Sequence, residues 1–77
     1  MNRQQDALLR LGQRLMAVRR QKDLSLTQLS ALTGLNSRDI AAIEAGDTDP
    51  TITTLIRLCL GLGISPDLLL TGFPPKA

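Results

Sequence analysis

Apolar residues recur at Leu8, Leu11, Leu15 and Val18, and these spacings of three and four draw one stripe along one face of a helix. The stripe predicts a first helix from about Asp6 to Gln21, with Arg10, Arg14 and Arg20 largely off it. Ser25-Leu26-Thr27-Gln28 then has the form of a capping box. The Ser25 hydroxyl can accept from the backbone N–H of Gln28, and the Gln28 side chain can reach back to Ser25. Leu24 and Leu29 stand at the two staple positions around that cap. The second helix is expected to run to Thr33 and to stop at Gly34, the residue that best tolerates a left-handed C-cap.

A second cap follows almost at once. Asn36 is a good N-cap, and Asp39 places a carboxylate where the helix dipole favours one. Ile40 and Ile43 turn inward on this third helix, Ser37, Arg38, Ala41 and Ala42 point outward, and the helix ends before Gly46. A short helix, a tight turn and another short helix form the helix-turn-helix pattern. Gly46-Asp47-Thr48-Asp49-Pro50 is turn chemistry throughout. Thr51 caps a fourth helix, expected to turn Ile52, Leu55, Ile56, Cys59 and Leu62 inward. The β-branched run Thr51 to Thr54 also has strand character, but a lone strand would have no pairing partner. Gly63 ends this helix, and Ser65-Pro66 starts a fifth with serine as N-cap and proline first in the helix. That helix carries Leu68, Leu69 and Leu70 and is expected to end near Gly72, before the proline-rich tail 73–77.

Composition narrows the chemistry. Seventy-seven residues make one domain, 1–77, with residues 1–5 as an N-terminal arm. Apolar residues are 43% of the chain and aromatic ones 1%, a lone Phe73, so the core is aliphatic and suits packed helices. There is no histidine and one cysteine, which excludes a disulfide framework and any ordinary zinc site. Cys59, between Leu58 and Leu60, has the setting of a small buried hydrophobe rather than a reactive thiol. No paired carboxylates or glycine-rich phosphate loop suggest an enzyme, and no cofactor or metal is expected. No stretch is long and apolar enough for a membrane span, and the N-terminus lacks signal-peptide character, which points to the cytoplasm. The net charge is only +2, yet six of the nine basic residues lie in the first 22 positions. Such clustering suits a phosphate backbone or simply a solvated helix face.

Leu24-Ser25-Leu26-Thr27-Gln28-Leu29-Ser30, Gly34, Ile40, Ile43-Glu44-Ala45-Gly46, Pro50, Leu55 and Leu62-Gly63-Ile64-Ser65-Pro66-Asp67-Leu68-Leu69 occur in order and at characteristic spacing. On them the chain resembles the Cro/lambda-repressor helix-turn-helix family, also called XRE-like, over Leu11 to Gly72. The resemblance implies an all-α, compact five-helix domain with the helix-turn-helix at helices 2 and 3. It implies that the third helix enters the major groove of double-stranded DNA with its first residues on base edges. Ser37, Arg38 and Ala42 are then the base-reading residues. Arginine forks onto guanine O6 and N7, serine donates or accepts at several bases, and alanine touches a thymine methyl. Thr27, Gln28, Asn36 and Arg10 are the implied phosphate contacts, with backbone N–H groups at the starts of helices 2 and 3. The resemblance also implies a structural ion pair between Arg19 and Glu44.

The sequence departs from the family pattern at Leu26, where glutamine is usual, at Ser30, where alanine is preferred, and in a loop that carries Asp47 and Asp49 rather than basic residues. Asp39 adds another negative charge near the groove. The expected function is a transcriptional regulator that binds near-palindromic DNA as a homodimer, through a surface that includes Leu69, Leu70 and Phe73. Family members of this size also include antitoxins, so the alternative is a module that binds a partner protein, with DNA binding weak or secondary.

Overall fold

The computed structural model describes residues 3–70. Among them the chain forms α1 (Arg3–Gln21), α2 (Leu26–Thr33), α3 (Ser37–Glu44), α4 (Ile52–Leu62) and α5 (Pro66–Leu70), with no strand. Helix α1 starts at Arg3 rather than Asp6, so residues 3–5 belong to it and not to an arm. Arg3, Gln4 and Gln5 are good helix formers, and nothing ahead of Asp6 breaks the turn. The expected end of the fifth helix near Gly72, the tail 73–77 and Phe73 lie outside the described residues.

The core is one cluster of Leu11, Leu15, Val18, Leu29, Ile40, Ile43, Leu58, Cys59, Leu62 and Leu69, with Leu24, Leu26, Leu35, Leu55 and Ile64 packed against it. Every helix contributes to it, so no pair of helices could hold its shape without the rest. Leu8, expected on the buried stripe of α1, is only half-buried at the end of that stripe.

Helix α4 corrects the expectation for its inward face. Leu55, Leu58, Cys59 and Leu62 turn inward, whereas Ile52 is 72% exposed and Ile56 47% exposed. The helix carries more large aliphatic residues than one buried stripe can use. It packs against α2 and α5, and the row Ile52, Ile56, Leu60 (one residue in four) is left on the outer edge.

Helices α1 and α3 approach at backbone distance. A Cβ placed on Gly12 would sit far inside contact distance of the Ile43 and Glu44 carbonyl oxygens. Only glycine lets the end of α3 rest directly on α1. Beside this contact Arg19 and Glu44 close a forked ion pair: Arg19 Nε donates to Glu44 Oε2 at 2.6 Å and Nη2 to Oε1 at 3.0 Å. Arg19 Nη1 also donates to the Leu24 carbonyl at 2.9 Å, which ties the α1–α2 connection into the same joint. The hydrogen bond to Glu44 raises the Arg19 pKa above its ordinary value, against the opposing effect of burial. The position and tilt of α3 are thus set by a glycine contact and a shielded charge pair at its C-terminal end, leaving its N-terminal end outward.

Candidate nucleic-acid interface

The start of α2 is built as a reciprocal cap. The Ser25 hydroxyl accepts from Gln28 N–H at 3.0 Å, and Gln28 Oε1 accepts from Ser25 N–H at 2.8 Å. Because Gln28 uses its amide oxygen for the cap, its NH2 group remains as an outward donor. Three residues, Gly34 to Asn36, join α2 to α3. Gly34 adopts φ 76°, ψ 7°, the left-handed geometry that ends α2 and turns the chain through the tight corner. At the far side of the corner the Asn36 side chain accepts from Arg38 N–H at 2.7 Å and caps α3. Its NH2 group, too, is left as a donor.

Two hydroxyls pin the corner from inside. Buried Thr33 donates Oγ1 to the Leu29 carbonyl at 2.8 Å and accepts from Leu35 N–H at 3.1 Å. Ser30 donates Oγ to the Leu35 carbonyl at 2.5 Å. Both hydroxyls therefore brace the turn that aims α3, and Ser30 does so at the position where alanine is the usual residue. Their signal in the sequence was their place within a turn of Gly34, where serine and threonine hydroxyls bond local backbone.

Ile40, Ile43 and Glu44 bury the inner face of α3, while Arg38 and Asp39 are exposed and Ser37, Ala41 and Ala42 are half-buried. Arg38 and Ala42 therefore fall on the side of α3 away from the core, at its first turn and one turn on, whereas Ser37, seven residues before buried Glu44, stands half-buried at the helix start. Thr27, Gln28 and Asn36 are exposed at the starts of the two helices, where N–H groups and the helix dipole favour anions. Arg10 is not brought to this surface. Arg10 and Arg14 each lie two residues from Gly12, about 160° away round α1 at 3.6 residues per turn, so both point away from α3. The acidic residues Asp47 and Asp49 are exposed in the loop that follows α3.

Leu69 is 1% exposed and belongs to the core, whereas Leu70 is 48% exposed. Both line an apolar hollow of about 210 Å³ between α4 and α5, with Ile52, Leu55, Ile56, Cys59 and Pro66. Burial pushes the Cys59 thiol above its ordinary pKa, away from thiolate chemistry. Among the described residues no group of histidine, cysteine and carboxylate side chains is placed to hold a metal ion. No described helix is long and apolar enough to cross a membrane.

Residues 12–73 match the model of a family described as a helix-turn-helix domain. The chain is 31% identical over 61 residues to the HTH-type transcriptional regulator y4dJ of Sinorhizobium fredii, covering 79% of each protein. Its fold matches the restriction-modification controller protein C.AhdI of Aeromonas hydrophila with a TM-score of 0.79 at 32% identity, over 80% of this chain and 94% of that one. It also matches an HTH_3 family transcriptional regulator of Vibrio cholerae with a TM-score of 0.86 at 28% identity, over 92% of this chain and 40% of that one.

Proposed function

Because the chain belongs to the helix-turn-helix domain family of transcriptional regulators, not of enzymes, we propose that it controls transcription by binding an operator as a homodimer. The observation that carries this reading is the outward first turn of α3. It presents Ser37 and Arg38 on a helix held rigidly at its other end by Gly12 and the Arg19–Glu44 pair. With α3 in the major groove, Arg38 forks onto a guanine, Ser37 bonds an adjacent base edge and Ala42 meets a thymine methyl. Thr27, Gln28 and Asn36 hold phosphates, the last two through the NH2 groups that capping leaves available.

Two copies are needed because one α3 reads only a few base pairs. The proposed dimer surface joins Leu70 of α5 to the outer row of α4, Ile52 and Ile56, around the apolar hollow. So much contiguous apolar surface on a small domain is a mark of an association site. Leu69 supports this surface from inside the core, and Phe73 follows Leu70 by three residues. Reading two half-sites one turn of DNA apart requires that a two-fold axis there set the two α3 helices about 34–36 Å apart.

The exposed carboxylates of Asp47 and Asp49 favour a second reading, in which the fold serves chiefly to bind a partner protein. Fluorescence anisotropy separates the two. On a duplex from immediately upstream of the protein's own gene, the operator reading requires tighter binding than on a scrambled duplex, with a steep fall as salt is raised. Equal and weak binding to both duplexes supports the partner-protein reading.

A further inference from the structure

We infer that Arg57, a residue outside the helix-turn-helix unit, grips a DNA backbone phosphate beside the turn and fastens the start of α3 in its groove. The inference rests on the DNA-binding reading above. One face of α4 runs along the helix-turn-helix unit. Thr54 lines a hollow with Leu35 and Asp39, at the start of α3. At the other end, a Cβ on Gly61 would meet the Thr33 methyl at 2.5 Å and Leu32 Cβ at 3.5 Å, at the end of α2. Arg57 stands between them, three residues after Thr54 and four before Gly61, the spacing that aligns side chains on one helix face. Its Nη1 lies 3.8 Å from the point where a Gly34 Cβ would be. The guanidinium is thus seated over the corner between α2 and α3.

Nothing in the described residues uses that charge. Arg57 is exposed, and no described carboxylate pairs with it. It sits at the carbonyl end of α2, where the helix dipole favours a cation and helps to place it. From residue 23 to residue 70 the chain offers only two cations, Arg38 and Arg57, against the six carboxylates of Asp23, Asp39, Glu44, Asp47, Asp49 and Asp67. If Arg38 reads a base and Arg19 is taken up by Glu44, Arg57 is the remaining cation near the start of α3 for the backbone. An α-helix with its side chains is about 10–12 Å across and the major groove about 12 Å wide, so groups flanking the start of α3 meet the phosphate walls. The planar fork of arginine matches a phosphate oxygen pair. No cation-rich run marks Arg57 in the sequence. It lies 23 positions from Gly34, and only the packing of α4 on α2 unites them.

The test is the salt dependence of binding to a mixed-sequence 30-base-pair duplex, measured by anisotropy for the wild type, Arg57→Gln, Arg57→Lys and Arg3→Gln. Arg3 is exposed and lies nine residues from Gly12, about 180° round α1 from the α3 contact, so its loss removes equal charge elsewhere. A neutralised phosphate contact contributes about 0.9 to the slope of log K against log salt. Arg57→Gln should flatten the slope by that amount per chain bound. Its affinity deficit should therefore shrink roughly 3.5-fold between 50 and 200 mM salt, which is 4 raised to the power 0.9. Arg57→Lys should keep the wild-type slope, and so should Arg3→Gln. A merely structural role for Arg57 would lower the melting temperature and leave the slope alone. A wild-type slope for Arg57→Gln, or equal flattening in Arg3→Gln, overturns the inference while leaving the DNA-binding reading intact. Absence of binding by the wild type at low salt overturns both.

Discussion

Glu44→Gln keeps the size of a side chain that is 5% exposed and removes its charge, so it isolates what the pair with Arg19 contributes. In the native fold both carboxylate oxygens accept from the guanidinium, and Arg19 is itself only 11% exposed. In the variant one of those oxygens becomes an NH2 group that faces an N–H donor, and the guanidinium charge is left shielded from water without a counter-ion. Removing one partner of a buried pair costs about 3–5 kcal/mol. A domain of this length has a total stability of about 4–12 kcal/mol, so the variant loses a large share of it. At about 4–8 °C per kcal/mol for domains of this size, a loss of 3 kcal/mol lowers Tm by roughly 12–24 °C. Urea unfolding followed by circular dichroism at 222 nm reads the loss directly. The double variant Arg19→Met with Glu44→Leu should recover most of it, because no charge remains stranded. It should still fall short of the wild type by about 1 kcal/mol, because the Leu24 carbonyl loses its donor from Arg19. A loss below about 1 kcal/mol for Glu44→Gln, or a double variant that costs the sum of the two singles, would refute a buried pair whose members depend on each other.

Gly12→Ala should destabilise by about 1–3 kcal/mol or more, since the new methyl meets backbone carbonyls of α3 that no rotamer change can move; an unchanged Tm would show that α1 and α3 do not touch there. Ser25→Ala should cost about 1 kcal/mol in the same urea assay through loss of the cap at α2, and coincident midpoints would count against it. Cys59 should react with iodoacetamide far more slowly in the native protein than in urea, because the thiol is buried and its pKa is raised. Stoichiometric labelling of the native protein at the rate of a free thiol would contradict its place in the core. Ile56→Asp should shift sedimentation equilibrium toward monomer while leaving the helical content unchanged, and an undiminished dimer would move the interface off α4.

What could be read from the sequence was what local chemistry decides. The caps at Ser25, Asn36 and Thr51 and the left-handed stop at Gly34 form from hydrogen bonds and backbone angles within a few residues, and the structure has all four. What escaped depends on which helix covers which. Ile52, Ile56, Leu55, Leu58 and Cys59 allow two overlapping apolar stripes on α4, and docking of Gly61 onto Thr33 selects the one through Leu58. Nothing local to Gly12 marks it as more than a weak helix former, although it is the close contact that seats α3. Arg10, which the resemblance implies as a phosphate contact, lies about 160° round α1 from the Gly12 contact with α3, a phase that only the packing of the two helices reveals. The outward placing of Arg38 and Ala42 was legible because the inward pair Ile40 and Ile43 fixes the phase of α3.

The central claim is that the first turn of α3, presented twice by a dimer, reads DNA. Selection of bound duplexes from a random-sequence library tests it most directly, run with the wild type and with Arg38→Ala. The account predicts enrichment of a near-palindrome with half-sites about 10–10.5 base pairs apart, and loss of one guanine preference in each half-site for the variant. No enriched sequence with the wild type, or the same sequence enriched equally by Arg38→Ala, would contradict it.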